Sequence, residues 1–372
     1  MSRINITYIV SDIDKALAFE WIATYLDKEK FNLSFIILNP GNSQLESFLI
    51  KEKIEVYRVI CRGKKDWPKA IWQTRKLLKK IKTTIVHCHL LQANIIGLMA
   101  AKLAGLKERI YTRHHSSFHH VYYKKGIWWD KLANKLATRI VAISGVVKKI
   151  LIELEKVPIE KVVLIPHGFL LEQFIEVSDE RVKEFRLRHS LNSSKPIVGV
   201  ISRFTELKGI QYIIPAFKSL LNEFPDAILI MLNAKGDFEK EILTLLKALP
   251  EKNYRLTDFE ADIASAYHCM DVFVHVPIDE HSEAFGQIYV ESMAAGVPSV
   301  FTLSGIAPEF IKNNENALVV PYKDSNAIYV SITQILRDES LKDRLKLNGY
   351  KSVQKLFGLD LMINKLEQLY AE

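Results

Sequence analysis

The chain alternates short runs of β-branched and aromatic residues with longer stretches that carry the apolar spacing of helices, along most of its 372 residues. Runs such as INITYIV and DVFVHVPI are apolar over nearly their whole length, which is typical of strands buried on both faces of a parallel sheet. Strands that alternate with helices in this way predict doubly wound α/β domains. A chain of this length is expected to form two of them, each with its own core.

The alternation falls into two series of strands and helices. The first series ends with the run KVVLIPHG, and the second begins with PIVGVIS after a charged helix near Asp179–Arg188. We expect the linker at roughly residues 168–180. The predicted parts are an amino-terminal domain over residues 1–170, a second domain over residues 171–355 and a last helix over residues 356–372.

The cysteines and the apolar runs indicate a cytoplasmic protein. Cys61, Cys88 and Cys269 form no CxxC motif and cannot all pair, which favours a reducing compartment. The first apolar run covers only residues 4–10 and lacks a cleavage pattern, so we expect a first strand and not a signal peptide. No apolar run reaches the length that spans a membrane.

The charge of the chain is unevenly distributed. Residues 1–170 carry 29 Lys and Arg against 14 Asp and Glu, a net charge of +15, whereas the remainder of the chain has a net charge of −7. No nucleic-acid-binding motif accompanies the basic half, so we expect no nucleic acid partner. An anionic membrane surface or a phosphate-bearing acceptor explains the charge as well.

Two glutamates eight positions apart, Glu283 and Glu291, lie in the segment HSEAFGQIYVESMAAGVPSV. The pattern places Glu283 in the loop after a strand and Glu291 in the helix that follows, at the edge where open α/β sheets bind ligands. A helix start attracts phosphate, so we expect a phosphate-bearing ligand to meet the backbone near Ala284, Phe285, Gly286 and Gln287. On spacing alone, two solvated surface charges are the more common interpretation.

The segment GVISRFTELKGI predicts a strand, a loop with Arg203 and Lys208, and then a helix that begins after Gly209. Arginine binds phosphate oxygens in a fork and lysine supplies a point charge, so this pair suits a diphosphate. The alternative is two exposed cations on a loop.

The segment RIYTRHHSSFHH runs from a predicted strand into a histidine-rich loop. His115 and His119 are four residues apart, with His114 and His120 beside them, and one interpretation is a metal site. The cluster itself contains no carboxylate or cysteine to complete such a site, so we expect no metal there. Solvated or hydrogen-bonded histidines are the other alternative.

These motifs resemble those of the retaining GT-B glycosyltransferases called family 4. The resemblance rests on Glu-x7-Glu with its aromatic-glycine pair, on R-x4-KG, on the T-x-H of Thr112–His114, and on IPHGFLLEQF as the interdomain element. It implies two Rossmann-like domains that face a central cleft, with the last helix crossing back to the first domain. Two elements depart from the pattern, since Ser11–Asp14 replaces a glycine-rich acceptor loop and Leu232–Gly236 replaces a G-x-G.

The resemblance also implies an activity and its residues. It predicts an enzyme of hexosyltransferase type that moves a sugar from a UDP- or GDP-sugar to a hydroxyl of a glycan or lipid-linked acceptor, without metal or cofactor, in polysaccharide or glycolipid synthesis. Glu283 and His114 are then the catalytic residues, Arg203 and Lys208 bind the donor diphosphate, and Glu291 holds the ribose. A sugar-nucleotide epimerase and a non-catalytic binding protein of the same fold are the alternatives.

Trp128 and Trp129 lie beside lysines in the stretch HHVYYKKGIWWDKLANK. Aromatic rings at headgroup level with cations around them are typical of a helix at a membrane surface, which would make the protein peripheral at the inner face of the membrane. Tryptophans packed into the domain core with lysines outside are an equal alternative.

Overall fold

A computed structural model describes residues 3–191 and 196–372. The chain forms two compact units, one from residues 1–169 together with residues 359–372, and one from residues 170–358. They are called the first domain and the second domain below. Each is built on one parallel β-sheet, so the predicted α/β fold with two doubly wound domains is confirmed.

The first domain holds a seven-stranded sheet in which every pair of neighbouring strands is parallel. Its strands are β1 Ile4–Ser11, β2 Phe31–Leu38, β3 Glu55–Val59, β4 Ile85–His89, β5 Glu108–Arg113, β6 Arg139–Ala142 and β7 Val162–Leu164. Its helices before the domain boundary are α1 Leu17–Tyr25, α2 Gln44–Lys51, α3 Trp67–Lys80, α4 Leu91–Ala104, α5 Phe118–Val121, α6 Gly126–Leu136 and α7 Gly145–Lys149. The strand order β3-β2-β1-β4-β5-β6-β7 reverses direction between β1 and β4.

The centre of this sheet is buried, as its sequence predicts. Ile6, Tyr8 and Ile9 on β1 are fully inaccessible to solvent. The helix α4 packs closely on the neighbouring strand, because a Cβ atom on Gly97 would lie 2.5 Å from the Sγ of Cys88. Continuous apolar strands are therefore explained by burial within the α/β layers.

The second domain holds a six-stranded parallel sheet in the order β10-β9-β8-β11-β12-β13. Its strands are β8 Ile197–Ile201, β9 Ile228–Leu232, β10 Tyr254–Thr257, β11 Val272–His275, β12 Ser299–Phe301 and β13 Leu318–Val319. Its helices are α8 Glu172–Ile175, α9 Asp179–Arg188, α10 Ile210–Leu220, α11 Glu239–Leu246, α12 Ile263–His268, α13 Gln287–Ala294, α14 Ser325–Arg337 and α15 Glu339–Phe357. Here the order reverses between β8 and β11.

The last helix, α16 Leu359–Ala371, belongs to the first domain. The N–H of Leu359 donates to the carbonyl of Phe169 at 3.0 Å, which joins the start of the helix to the last residue before the second domain. Near its end, the hydroxyl of Tyr370 lies 2.6 Å from Nδ1 of His87 on β4 and 2.5 Å from the hydroxyl of Tyr8 on β1. The helix therefore completes the core of the first domain.

None of the helices in the described parts of the chain combines the length and the apolar character needed to cross a bilayer.

Candidate active site

The loops that follow β8 and β11 meet at the carboxyl edge of the second sheet. The strand order reverses between these two neighbours, and open α/β sheets bind ligands at the carboxyl ends of the strands where the order reverses. The loop after β8 carries Arg203 and Lys208, and the loop after β11 carries Glu283. The topology thus places three of the residues predicted from sequence at one edge of the sheet.

Lys208 and Glu283 form an ion pair across these loops. The Nζ of Lys208 lies 2.5 Å from Oε1 of Glu283, and the same oxygen lies 3.0 Å from Nε2 of His275 at the end of β11. The side chain of Glu283 is only 11% exposed, and its backbone N–H donates to Oγ of Ser304 at 3.0 Å. The carboxylate is therefore held at a fixed place by a cation, an imidazole and the backbone.

These contacts decide the charge of Glu283. Burial raises the pKa of the carboxyl, but the charge of Lys208 and the hydrogen bond from His275 outweigh burial and lower the pKa to about 2. Burial also lowers the pKa of His275, so its ring is neutral near pH 7 and Nε2 carries the proton that Glu283 accepts. Glu283 is an ionised hydrogen-bond acceptor with little tendency to take up a proton.

A glycine brings the two loops together. Gly209 has φ of +72°, and a Cβ atom there would lie 1.9 Å from the carbonyl oxygen of Val276. Beside it, the N–H of Ile278 donates to the carbonyl of Leu207 at 3.1 Å. Only glycine fits both the left-handed backbone and the close approach, which puts Lys208 within reach of Glu283.

A third segment, Ser304–Ile306, packs against the loop that holds Glu283. The N–H of Gly305 donates to the carbonyl of Glu280 at 3.2 Å, and the N–H of Ile306 donates to the carbonyl of Phe285 at 2.9 Å. A Cβ atom on Gly305 would lie 2.8 Å from the Cβ of Glu283, so this position also requires glycine. The loop is thereby held on both sides.

The backbone predicted to meet a donor phosphate lies at the start of α13. Gly286 has φ of +87° and directly precedes the first residue of that helix, Gln287. Ala284 and Phe285 connect this point to Glu283, and Phe285 is buried. The helix start and the ionised carboxylate therefore belong to one short segment.

Glu291 lies one turn into α13, where it is half-buried. Its Oε2 accepts a hydrogen bond of 3.1 Å from the hydroxyl of Tyr267 on α12. Burial raises the pKa of the Glu291 carboxyl to about 7, and the hydrogen bond from Tyr267 opposes the rise. The two glutamates thus differ, because a cation accompanies Glu283 and a phenol accompanies Glu291.

Arg203 is exposed, unlike Lys208. Within residues 3–191 and 196–372, its guanidinium forms no ion pair or side-chain hydrogen bond, so the structure does not connect it to either glutamate. Its loop is nevertheless fixed, because the N–H of Phe204 donates to the carbonyl of Lys235 at 2.9 Å.

In the first domain, His114 follows β5 at the carboxyl edge of the sheet. Its Nε2 lies 3.1 Å from Nδ1 of His89, and its ring stacks on His167 with 5.6 Å between the ring centroids. Burial lowers the pKa of His114 to about 3, and the neighbouring histidines add to the effect. His114 is therefore a neutral ring, able to hydrogen-bond a ligand but weakly basic.

The rest of the histidine cluster is arranged differently from the prediction. The expectation that no carboxylate completes it is wrong, because α6 brings Asp130 between His115 and His119, at 3.3 Å from Nε2 of His115 and 2.6 Å from Nδ1 of His119. The sequence hides this contact, since Asp130 is eleven residues beyond His119 on another element. The potential ligand atoms of all three lie within 4.8 Å of one another, so they could hold a cation.

The same carboxylate also pairs with a buried guanidinium. Nη1 of Arg113 lies 2.9 Å from Oδ1 of Asp130 and Nη2 lies 3.1 Å from Oδ2, while Glu155 lies 2.5 Å from Nη2 on the other side. Burial raises the pKa of Asp130, but the two histidines and Arg113 outweigh it and keep the pKa well below its usual range. The hydrogen bonds of the network already satisfy the carboxylate, which disfavours a metal ion beside the guanidinium.

The two departures from the family pattern keep a left-handed backbone without glycine. Asp12 after β1 has φ of +51°, and Asn233 after β9 has φ of +59°. Asp and Asn adopt this conformation more readily than other residues with side chains. The turns at the carboxyl edge are therefore present even where the glycines are not.

Trp128 and Trp129 have separate environments. Trp129 packs edge to face on Trp67 with 5.0 Å between the ring centroids, whereas Trp128 is 62% exposed. The packing interpretation thus fits Trp129, whereas for the exposed Trp128 contact with a membrane stays a prediction.

Two family models match the chain in succession. The model described as Glycosyltransferase Family 4 matches residues 22–173, and the model described as Glycosyl transferases group 1 matches residues 182–352. The chain is a glycosyltransferase of the GT-B fold. The enzyme is 27% identical over 307 residues to the capsular polysaccharide biosynthesis glycosyltransferase CapM of Staphylococcus aureus, covering 79% of this chain and 78% of the relative.

Other relatives match nearly the whole enzyme. UDP-Gal:alpha-D-GlcNAc-diphosphoundecaprenol alpha-1,3-galactosyltransferase of Escherichia coli is 24% identical over an alignment of 363 residues, and the alignment covers 93% of this chain and 90% of that one. The crystal structure of Anabaena Alr3699/HepE in complex with UDP-glucose has a TM-score of 0.83 at 18% identity, with all of both chains covered. A glycosyltransferase structure from Rickettsia africae has a TM-score of 0.80 at 20% identity and covers 100% of this chain and 98% of that one.

Sequence reasoning missed the residues that hold the predicted ones in place. His275 binds Glu283, Ser304 accepts from its backbone, and Tyr267 binds Glu291. One signal was present, because a histidine inside the apolar run VFVHV must have a hydrogen-bond partner when it is buried. Neither Tyr267 nor Ser304 has a comparable signal.

Proposed function

We propose that this glycosyltransferase moves a sugar from a UDP- or GDP-sugar to a hydroxyl group of a glycan or lipid-linked acceptor, and that it retains the anomeric configuration. The observation that carries the proposal is the ion pair of Lys208 and Glu283 at the strand-order reversal of the second sheet. It puts a cation for a departing diphosphate beside a carboxylate for sugar hydroxyls. The relatives support the ligand classes, since one is named for a UDP-galactose donor and a diphospholipid acceptor and one structure holds UDP-glucose.

The donor would be held by residues of the second domain alone. Lys208 and the exposed Arg203 bind the diphosphate, and the amides over residues 284–287 at the start of α13 add the positive end of a helix dipole. Glu291 accepts hydrogen bonds from the ribose diol, with Tyr267 orienting its carboxyl group. A fixed array of donors around the leaving group lowers the barrier without reorganisation during the reaction.

Glu283 would stabilise the transition state without acting as a base. A carboxyl with a pKa of about 2 is a poor proton acceptor, so its role is to bind sugar hydroxyls as the reacting carbon gains positive charge. The bond from the anomeric carbon to the diphosphate oxygen breaks, and the acceptor oxygen bonds to that carbon on the same face. The proton of the acceptor hydroxyl then passes to the departing diphosphate, which is a stronger base than the Glu283 carboxylate.

His114 would be the contribution of the first domain to catalysis. Its pKa of about 3 keeps the ring neutral, and His89 occupies only one of its two nitrogens. A neutral imidazole donates or accepts a hydrogen bond without adding positive charge near the developing oxocarbenium ion. His114→Ala should lower kcat roughly a hundredfold, while the affinity for the bare nucleotide should stay unchanged.

We propose further that no divalent metal takes part. Arg203 and Lys208 supply the positive charge that metal ions supply in other transferases. Transfer rates should then be equal in EDTA and in added Mg²⁺ or Mn²⁺, and a loss of activity in EDTA that Mn²⁺ restores would refute this point.

We also propose that the enzyme works in the cytoplasm at the inner face of the membrane. Trp128 projects into solvent on α6, and Lys124, Lys125 and Lys131 surround it in the sequence. Vesicles of anionic lipid should sediment the protein at low salt, and Trp128→Ser should reduce the bound fraction several-fold. Equal sedimentation with purely neutral vesicles would contradict the role of the lysines.

The central test is donor binding followed by product analysis. A panel of UDP-, GDP- and ADP-sugars should contain one compound that raises the melting temperature of the wild-type protein, because a ligand that binds only the folded state stabilises it. With that donor and a suitable acceptor, the anomeric coupling constant of the product by NMR should match that of the donor. Failure of every nucleotide sugar to bind, or an inverted product, would refute the proposal.

A further inference from the structure

We infer that a basic groove of the first domain binds the diphosphate of a lipid-linked acceptor. The groove lies between the end of β3 and one face of α3, and it has a volume of about 640 Å³. Its cationic side chains are Arg58, Arg62, Lys69 and Lys76. The identification of the ligand as the acceptor rests on the proposed glycosyl transfer, whereas the presence of an anion-binding groove does not depend on that proposal.

The groove is formed by the loop that follows β3 and by one face of α3. Lys69, Gln73 and Lys76 are spaced by four and three residues on α3, so they project from the same side of the helix. Asp66 precedes α3 and accepts a hydrogen bond of 2.8 Å from the backbone N–H of Arg62, which ties the loop to the helix start. The cations therefore line one wall and the mouth of a single cavity.

Most of the positive charge in the groove has no counterion. Arg58 is bound to Glu46, with 3.0 Å from Nε to Oε2. In the parts of the chain that the structure describes, Arg62, Lys69 and Lys76 form no ion pair with a carboxylate. Among the described residues that line the groove, Asp66 is the single acidic one. Cations gathered without neutralising partners favour an anionic ligand.

The position of the groove suits an acceptor. All strands of the first sheet are parallel, so the end of β3 lies at the same edge as His114 after β5. Four strand spacings separate β3 from β5 in the sheet order, or roughly 19 Å. A ligand anchored in the groove can extend along this edge toward His114.

The mouth of the groove is partly apolar, which favours a lipid diphosphate over free phosphate. Ile60 lines the groove and is 55% exposed. On the neighbouring face of α3, Trp72 is 52% exposed, and Nζ of Lys76 lies 5.1 Å from the centroid of its ring. Exposed apolar groups beside unpaired cations are the chemistry that binds an amphiphile with an anionic head.

The test is calorimetric titration of the full-length protein with farnesyl diphosphate, inorganic pyrophosphate and farnesol. Farnesyl diphosphate should bind best, pyrophosphate more weakly, and farnesol not measurably. The variant Arg62→Ala/Lys69→Ala should bind farnesyl diphosphate roughly tenfold or more weakly, because two charge-assisted contacts are lost. The matched control is Lys102→Ala/Lys107→Ala, which removes the same charge from exposed positions at and just beyond the carboxyl end of α4, outside the groove, and should bind like the wild type.

Three outcomes would overturn the inference. The first is that neither diphosphate binds the wild type. The second is that farnesyl diphosphate binds Arg62→Ala/Lys69→Ala and the control variant with equal affinity. The third is that farnesyl diphosphate does not bind, while binding to phosphatidylglycerol vesicles depends on Arg62 and Lys69. Nucleotide-sugar binding is measured on the same variants and should be unchanged, since no residue of the groove belongs to the second domain. If the wild type binds no nucleotide sugar, that result would instead refute the proposed function.

Discussion

Nζ of Lys208 lies 2.5 Å from Oε1 of Glu283, and the two residues come from loops that follow neighbouring strands, β8 and β11. Each neutralises the other while no donor is bound. The pair also keeps Glu283 ionised far below neutral pH, because it lowers the pKa to about 2.

Glu283→Gln should lower kcat by a factor of about 100 to 1,000, because the neutral amide cannot stabilise positive charge at the reacting carbon. The side chain keeps its size, so the protein should stay folded, but the melting temperature should fall because a largely buried ion pair with Lys208 is lost. Steady-state transfer rates check the first expectation and thermal unfolding the second. Glu280→Gln is the control, since Glu280 lies in the same loop with its side chain 68% exposed and should retain full activity.

Lys208→Ala should weaken donor binding and lower kcat together, so that kcat/KM falls by about a hundredfold. The variant removes the positive charge that stabilises the leaving diphosphate, and it also leaves Glu283 without its cation. Lys208→Arg should recover part of the loss. Lys218→Ala on α10 removes an exposed lysine and serves as the control. Equal kinetics for the two alanine variants would show that Lys208 does not bind the donor.

His275→Phe tests whether His275 positions Glu283. The variant loses the 3.0 Å hydrogen bond, so the pKa of Glu283 should rise from about 2 toward its usual value near 4.5. The acidic limb of the kcat profile should move to higher pH by the same amount, with a drop in kcat of about tenfold at neutral pH. A fall in kcat without a shift of the limb would indicate a packing role only.

Glu291→Gln should change how stability depends on pH. The folded-state pKa of Glu291, about 7, lies above its usual value of 4.5, so between these pH values the folded protein holds a proton that the unfolded chain releases. The resulting contribution to stability is fully present below about pH 4.5 and is lost as the pH rises through 7. The wild type should therefore lose stability relative to Glu291→Gln between these values. Urea unfolding at several pH values checks this, with the exposed Glu251→Gln as a control that follows the wild type.

Gly209→Ala should destabilise the second domain more than Gly296→Ala. Both glycines have positive φ, at +72° and +67°, so each alanine carries a backbone cost of about 1 kcal/mol. The added Cβ at position 209 would lie 1.9 Å from the carbonyl of Val276, whereas nothing lies within 4 Å at position 296. We expect a further loss of about 2 kcal/mol or more for Gly209→Ala by urea unfolding, and similar losses for both variants would contradict the close approach.

The sequence predicted the α/β fold because its signals are local. Strands buried on both faces must be apolar throughout, and the helix predicted to carry Glu291 is observed as α13 Gln287–Ala294. The shortest strand, β13 Leu318–Val319, has only two residues and left no readable pattern. Local pattern therefore indicates an element well when the element is long enough to show its period.

The positions of the candidate-site residues at the sheet edge were predictable from the sequence, but their contacts were less so. Lys208 and Glu283 were expected at one edge of the sheet, yet their ion pair joins residues 75 positions apart and depends on the backbone approach at Gly209. Asp130 escaped prediction for the same reason, because its contacts with His115 and His119 come from the packing of α6. Contacts of this kind depend on how elements pack, and no short spacing in the sequence encodes them.

The placement of α16 sets the order in which the two domains can be completed during synthesis. Residues 170–358 are contiguous, so the ribosome delivers everything the second domain needs before it delivers α16. Synthesis of the first domain begins earlier, but its core stays incomplete, because Tyr8 and His87 can contact Tyr370 only after α16 has left the exit tunnel. The domain made first is thus the one finished last, and until then it has an uncovered core to which a chaperone could bind.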